Sequence, residues 1–321
     1  MVIDKIAILT SGGDCQGMNA VVNIVVRVAT QKGIKVFGVR NGYQGLIDDD
    51  FSELQYEDVA NIAHLGGTYL GTARCEEFKT EKGVQKAVEN LTNRGIDALI
   101  VIGGDGSFKG VRALNKYRIK TIAIPATIDN DLYYTDRCLG FDTAVNNAVQ
   151  AIESIKQTMA SLNRCSIIEV MGRYCGQIAL YCASATAAQV LALPEKPTTE
   201  EEIIEKIAKS IEQGNKSPTV IVAEHMFDIK ELAKKVEQKL KIESKPCVLG
   251  YIQRGGSPSV YDRTLAVQLG VRAVDMIVKG EFNRALGIKG HSVFDVEMDA
   301  ASESETNFNY DLLNIFITMN S

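Results

Sequence analysis

Twice in this chain an apolar run breaks into Gly-Gly-Asp. Ile3 to Leu9 leads through Thr10-Ser11 to Gly12-Gly13-Asp14, and Asp97 to Ile102 leads directly to Gly103-Gly104-Asp105-Gly106-Ser107. The second run is nearly continuous in apolar residues, as strands are when both faces of a parallel sheet are covered. After the first turn, Met18 to Ala29 resumes with apolar residues at helical spacing. Strand, glycine turn and helix on alternating β and α segments point to an α/β fold with parallel strands. Glycine has no Cβ, so backbone N–H groups can approach a phosphate, and the helix that follows offers its positive end. Asp105 stands where a hard cation with oxygen ligands belongs. Either turn alone reads as well as an ordinary tight connection, but two of them suggest a shared phosphate site at the strands' C-terminal edge.

A second feature is Pro125-Ala126-Thr127-Ile128-Asp129-Asn130-Asp131, which follows the apolar run Thr121 to Ile124. In extended backbone Asp129 and Asp131 share a face with Thr127, the carboxylates roughly 7 Å apart. One carboxylate can then take a proton from an attacking hydroxyl while the other leans toward a metal beside a transferring phosphate. The alternative is a polar turn in which Asp and Asn bond their own backbone.

The rest of the chain keeps the alternation. Ile34 to Val39 reads as a strand and Asn41 to Gly45 as a loop; the glycine-rich stretch Leu65 to Arg74 closes on an arginine able to reach phosphate oxygens. Helices are predicted over Glu81–Arg94, Asp142–Ser161, Glu200–Gln213, Ile229–Leu240 and Val260–Val278, the last packing back on the first domain. Strands are predicted over Cys165–Val170 and Thr219–Ala223, with a short apolar run at Pro246–Leu249. The strand ends of this second half carry Arg164, Arg173, Glu224 and Arg254, and three arginines with a carboxylate suit an anionic, hydroxyl-bearing ligand. Unrelated surface ion pairs are the alternative. From about Ser302 a short terminal element or a frayed tail is expected.

Composition narrows the function classes. A length of 321 residues suggests about two domains, and 45% hydrophobic content can fill substantial cores. Thirty-five basic against 40 acidic side chains give a net charge of −5, so no broad basic face is available for nucleic acid. No secretory signal is read at Met1 to Lys5, and the uncharged run Ile178 to Pro194, interrupted by Ser184, Thr186 and Gln189, is too short to span a membrane comfortably. A soluble protein is expected. The seven cysteines are odd in number and contain no C-x-x-C pair, which disfavours a disulfide framework and a zinc site. Reduced thiols in cytoplasm are the expectation.

Six segments together resemble the bacterial-type 6-phosphofructokinase family, in particular its ATP-dependent branch, over about residues 1 to 300: Gly12-Gly13-Asp14, Gly103 to Ser107, Pro125 to Asp131, Met171 to Gly176, Glu224-His225-Met226 and Gln253 to Pro258. The resemblance implies two similar three-layer α/β domains with mostly parallel central sheets and the active site in the cleft between them. Residues 1–138 with about 251–302 would bind nucleotide, and 139–250 with the C-terminal tail would bind sugar phosphate. It further implies phosphate transfer from ATP, with Mg²⁺, to the 1-hydroxyl of fructose 6-phosphate, the committed step of glycolysis.

By the same resemblance Asp129 is the catalytic base, with Thr127, Asp131 and Arg173 beside it in the chemistry. Asp105 ligates Mg²⁺, with Asp131 near the ion. Gly12, Tyr43, Arg74, Cys75, Gly104, Asp105, Gly106 and Ser107 hold the nucleotide. Thr127, Ile128, Asp129, Met171, Gly172, Arg173, Glu224, Tyr251, Ile252, Gln253 and Arg254 hold the sugar phosphate. Arg164 and Lys245 join them from a neighbouring subunit, which makes the active form an oligomer, a homotetramer by resemblance.

Some positions depart from the family's pattern. Pyrophosphate-dependent members usually carry an acidic residue at Gly106 and lysine at Ala126; both are small here, which leaves room for a nucleoside triphosphate, although glycine is more usual than Ala126. Lys245 stands where arginine is common and Tyr251 where histidine is; lysine keeps the charge and loses the bidentate fork, so weaker sugar binding is expected. At the effector site for ADP or phosphoenolpyruvate, Arg27 and Lys216 survive and Lys156 replaces an arginine. Asn23, Asp50 and Ser217 occupy usually basic positions there, and Gln189 replaces a metal-binding glutamate. Weak or absent control by those ligands is expected. Two other readings stay open: a non-catalytic paralogue that regulates an active partner, and a pyrophosphate-dependent enzyme. Asp105, Thr127, Asp129, Asp131 and Arg173 occurring together argue against the first.

Overall fold

The structure, a computed structural model, describes residues 3–303 and 308–320, with the side chains of residues 302 and 303 left aside. The chain divides into two compact units, Met1–Thr143 with Arg254–Asn307, and Ala144–Gln253 with Phe308–Ser321. No described helix is long and apolar enough to cross a membrane.

The first unit is built on β1 (Lys5–Thr10), β2 (Lys35–Val39), β3 (Phe51–Leu54), β4 (Ala98–Gly103), β5 (Thr121–Pro125), β10 (Arg284–Lys289) and β11 (Ser292–Glu297). They form one seven-stranded sheet in the order β11-β10-β5-β4-β1-β2-β3. Five strands run parallel, and the two edge strands, β3 and β11, are antiparallel to their neighbours. Every residue of β4 and β5 is buried, which is why these two runs lack polar alternation. The helices of this unit are α1 (Met18–Gln31), α2 (Tyr43–Asp48), α3 (Tyr56–Val59), α4 (Glu81–Asn93), α5 (Asp105–Asn115), α10 (Val260–Lys279) and α11 (Ala300–Glu303). As expected, α10 packs with the first unit: it lies along α1, where a Cβ on Gly270 would come within 2.9 Å of Ile24.

The second unit carries α6 (Phe141–Leu162), whose first residues belong to the first unit, and then β6 (Cys165–Val170), α7 (Gln177–Ala185), β7 (Val190–Ala192), α8 (Glu200–Glu212), β8 (Thr219–Ala223), α9 (Ile229–Leu240), β9 (Ser244–Val248) and α12 (Tyr310–Met319). Its sheet is wholly parallel, in the order β7-β8-β6-β9. Ile167, Val220 and Val222 of the strands meet Ile203, Ile207, Leu232 and Val236 of α8 and α9 in its core.

The Asn41–Gly45 loop gives way at Tyr43 to α2, entered through Gly42 at φ 61° and left through Asp49 at φ 60°. The run at Pro246 is part of a strand that starts earlier, at Ser244, because pairing with Cys165 draws the polar residues into the ladder. At the C-terminus, Tyr310–Met319 is a helix capped by Asn309, whose side-chain oxygen accepts the Leu312 N–H at 3.0 Å. Residues 304–307 of the expected terminal segment lie outside the described residues.

Candidate active site

β1 lies between β2 and β4, so the strand order reverses there, and in open α/β sheets ligands bind beyond the strand ends at such a point. Both glycine turns leave the sheet at this place. Ser11 N–H donates to Ile102 O at 2.9 Å, and a Cβ on Gly103 would fall 2.6 Å from Ser11 O and 2.3 Å from Ser107 Oγ. Glycine at 103 is therefore what lets the two turns touch. Ser107 Oγ is buried and has no hydrogen-bond partner among the described residues. An orphaned buried hydroxyl is costly unless a ligand or water meets it. No side chain caps α5, whose first N–H groups are left for such a ligand.

Asp105 opens α5 with a half-exposed carboxylate that pairs with Lys109 Nζ at 2.6 Å. Tyr43 is buried; its hydroxyl donates to Ser107 O at 2.5 Å, its ring stacks on Phe78 with centroids 4.2 Å apart, and burial pushes its phenol pKa up. It braces the α5 turn from behind. Arg74 is exposed, and Cys75 is half-buried with its thiol pushed up by burial. A Cβ on Gly106 would meet nothing within 4 Å.

At the end of β5 the chain does not stay extended, as the equal-face argument for Asp129 and Asp131 required. Asn130 takes the left-handed conformation at φ 53°, and the backbone turns at Ile128-Asp129. Turn chemistry is thus present: Thr127 Oγ1 accepts the Asp129 N–H at 3.2 Å. Asn130 is 1% exposed and ties the loop shut, its Oδ1 accepting Cys138 N–H at 2.7 Å and its Nδ2 donating to Asp136 O at 3.3 Å. Asp129 and Asp131 remain half-buried on this loop, and a Cβ on Gly104 would stand 3.4 Å from Thr127 Cβ, so the loop adjoins the second glycine turn.

In the second unit the strand ends of β6, β8 and β9 surround a cavity of about 190 Å³, lined by Glu169, Val170, Met171, Glu224, Val248, Gly250 and Tyr251. Glu224 Oε1 accepts the N–H groups of Gly172 at 3.1 Å and Arg173 at 2.5 Å. That clamp needs unusual backbone, Gly172 at φ 140° and Arg173 at φ 58°. It leaves the Arg173 side chain exposed, 5.8 Å over the Tyr174 ring. Gln253, fully buried, accepts Met171 N–H at 3.2 Å. Tyr251 and Ile252 are 78% and 54% exposed. Glu169 is a residue the sequence reading missed; burial, then the neighbouring Glu224 charge, raises its pKa.

Within the second unit, Arg164 and Arg173 stand at opposite ends of β6. Arg164 precedes β6, whereas Met171 follows it, so the two are separated by the strand's length, about 20 Å. Arg164 instead meets Glu243 at 2.5 Å, and Lys245 meets the same carboxylate at 2.7 Å, holding the Glu243 pKa low. Arg254 belongs to the first unit, where it pairs with Asp14 beside Gly13. Nothing local in the sequence announced either carboxylate partner, since the contacts span 79 and 240 residues.

The effector candidates are mostly engaged in holding the fold. Asn23 donates to Val59 O at 2.7 Å. Lys156 donates to Thr186 O and pairs with Glu153 at 3.3 Å. Gln189 donates to Ala187 O at 2.9 Å and accepts Thr219 N–H at 2.8 Å. Arg27 lies 6.0 Å over the Tyr56 ring, and Asp50 and Lys216 are exposed.

Among the described residues no group of three or more His, Cys, Asp or Glu side chains is placed to hold a metal ion. Mg²⁺ bound with a nucleotide needs no such cage, because substrate phosphates and water fill most of its octahedron. Asp105 beside the orphaned Ser107 hydroxyl fits that kind of site. Among the described residues none of the seven cysteines forms a disulfide.

The family model described as Phosphofructokinase matches residues 5–277. An ATP-dependent 6-phosphofructokinase of Clostridium novyi is 46% identical over 310 residues, 97% of each chain. The structure of phosphofructokinase from Saccharomyces cerevisiae superimposes with a TM-score of 0.86 at 31% identity, over 99% of this chain and 47% of that longer one. A pyrophosphate-dependent phosphofructokinase from Marinobacter aquaeolei gives a TM-score of 0.87 at 22% identity, over 96% of this chain and 86% of that one, which speaks to fold alone. The family match over most of the chain and the near-complete alignment with the Clostridium protein show that this chain belongs to the phosphofructokinase family.

Proposed function

We propose that this chain transfers the terminal phosphoryl group of ATP to the 1-hydroxyl of fructose 6-phosphate, giving fructose 1,6-bisphosphate and ADP. The observation that carries the reading is the Thr127–Asp129 turn at the end of β5, adjoining the two touching glycine turns at the sheet's switch point. In this reading Asp129 takes the proton of the sugar hydroxyl as its oxygen bonds to the terminal phosphorus and the bond to the bridging oxygen of ADP breaks. Thr127 positions Asp129 and the sugar. The glycine turns, with Tyr43 behind them, cradle the donor phosphates, while Arg74 and Cys75 flank the nucleotide. Asp105, with Asp131 nearby, would hold Mg²⁺, which supplies positive charge against the donor phosphates. Arg173 adds charge at the transferring group.

Met171, Gly172, Glu224, Tyr251, Ile252, Gln253 and Arg254, with Ile128, bind the sugar phosphate in this reading. Arg164 and Lys245 serve the site of a neighbouring copy, which accounts for their standing at the far end of β6 and β9 from Met171 and Glu224. The active form is accordingly an oligomer, taken as a homotetramer. Cysteines outside any disulfide fit a reducing cytoplasm. Control by ADP or phosphoenolpyruvate is weak, because Asn23 and Gln189 bond to the protein's own backbone where a ligand would need cations.

The donor is ATP rather than pyrophosphate: the open space at Gly106 accommodates the rest of a nucleotide, and the Clostridium relative bears an ATP-dependent name. Assay of the purified protein with Mg²⁺ and fructose 6-phosphate, using ATP and pyrophosphate in turn, tests this. Turnover with ATP at least about 100-fold above that with pyrophosphate is expected. Binding without turnover favours the regulatory paralogue, and preference for pyrophosphate overturns the donor.

A further inference from the structure

We propose that Asp262 is a positioning residue for phosphoryl transfer: from α10 it clamps the start of α6 and so fixes the segment against which the Thr127–Asp129 turn is registered. This rests on the reading of that turn as the reacting site. Asp262 is 0% exposed. Its Oδ1 accepts Gly140 N–H at 3.0 Å, and its Oδ2 accepts Thr143 N–H at 2.9 Å and the Thr143 hydroxyl at 2.5 Å. Two of these donors, the N–H groups of Gly140 before α6 and of Thr143 in its first turn, are of the kind a helix's own capping side chains normally satisfy. Here Gly140 occupies the cap at φ 92°, where a Cβ would lie 2.6 Å from Cys15 Cβ, so self-capping is sterically closed. Another helix supplies the acceptor instead. Ser259 closes the arrangement: its N–H donates to Thr143 Oγ1 at 2.9 Å, and its hydroxyl, which caps α10, also bonds Asp142 Oδ2 at 2.6 Å.

One residue before the clamp, Leu139 connects it to the site. Leu139 N–H donates to Pro125 O and Leu139 O accepts Thr127 N–H, both at 3.1 Å. The same carbonyl accepts Cys15 Sγ–H at 3.3 Å from the first glycine turn. Movement at Gly140 is thereby felt at Thr127 and beside Gly13-Asp14 together. The carboxylate is also an expensive choice. Burial, followed distantly by the Asp142 charge, raises its pKa from 3.8 to about 6 against the lowering effect of its three hydrogen bonds. A group that costs stability where it stands, and whose bonds all end on the backing of a reactive loop, is retained for what it positions.

Asp262→Asn tests this, with Thr143→Val as a second variant that thins the clamp without touching the charge. In wild type and both variants, kcat, KM, Tm and amide hydrogen exchange at Thr127 and Leu139 are measured on the full chain. The expected result for Asp262→Asn is a kcat lowered about 10- to 100-fold. KM values should stay within about threefold, Tm should be unchanged or higher, and exchange at both amides should be at least about tenfold faster. Thr143→Val should shift kcat and exchange in the same direction, less far. A lower Tm with normal kcat per folded protein, or unchanged exchange in both variants, overturns the proposal. If the wild type itself has no kinase activity, the function assigned above fails while faster exchange in the variants still upholds the clamp.

Discussion

Asn130 closes the β5 loop by accepting the Cys138 N–H through its side-chain oxygen at 2.7 Å. It does so from the left-handed region, which Asn tolerates better than other residues with a side chain. Asn130→Ala removes the acceptor, strands a buried N–H and keeps the strained φ. Urea denaturation should show a loss of about 2–3 kcal/mol. Because Asp129 is the neighbouring residue, kcat should fall at least about tenfold. A destabilised variant of unchanged kcat would show that the loop's closure does not serve the chemistry.

Lys245 meets Glu243 at 2.7 Å with a point charge, where a guanidinium would offer a fork. Lys245→Arg should lower the KM for fructose 6-phosphate about three- to tenfold with kcat little changed, as expected for binding that does not alter in the transition state. An unchanged KM removes Lys245 from the sugar-phosphate site.

Gln189 uses both ends of its amide on backbone, and Asn23 is committed to Val59. Titrating ADP or phosphoenolpyruvate at subsaturating fructose 6-phosphate should therefore leave the saturation curve nearly unmoved. A strong shift in cooperativity with either would mean that the remaining cations, Arg27, Lys156 and Lys216, still form an effector site.

Asp295 on β11 receives Arg272 of α10 at 2.8 Å and Arg284 of β10 at 2.7 Å. Burial alone would raise its pKa, but the two guanidinium bonds outweigh it and hold the value below 3.8. A depressed folded pKa gives stability that is complete above the unfolded value and lost as pH falls through the folded one. Asp295→Ala should cost about 2 kcal/mol near neutral pH, since it leaves two half-buried cations with only the longer pairs, Arg272 to Glu281 and Arg284 to Glu297, both at 3.9 Å. That difference should shrink below about pH 4. Thermal melts of wild type and variant at both pH values decide it, and a gap that does not narrow on acidification contradicts the assignment.

Much of this architecture is legible because it is local. Strands such as Cys165–Val170 and Thr219–Ala223, and the helix Ile229–Leu240, declare themselves by unbroken apolar runs or by spacing, and the two Gly-Gly-Asp turns by composition. What escapes depends on a distant partner. The antiparallel edges β3 and β11 are weakly apolar and take their form from neighbours already in the sheet. Extended backbone would put Asp129 and Asp131 on one face, and one left-handed residue, Asn130, cancels that. Strand direction puts Arg164 at the opposite end of β6 from Met171, and the Asp14 partner of Arg254 lies far off in sequence.

In the proposed reaction the Asp129 carboxylate activates the sugar hydroxyl. Asp129→Asn keeps size and shape while removing the proton acceptor, so kcat with ATP and fructose 6-phosphate should fall by about three orders of magnitude or more, with modest change in the affinity for either ligand. A variant that turns over at a near-normal rate contradicts the account.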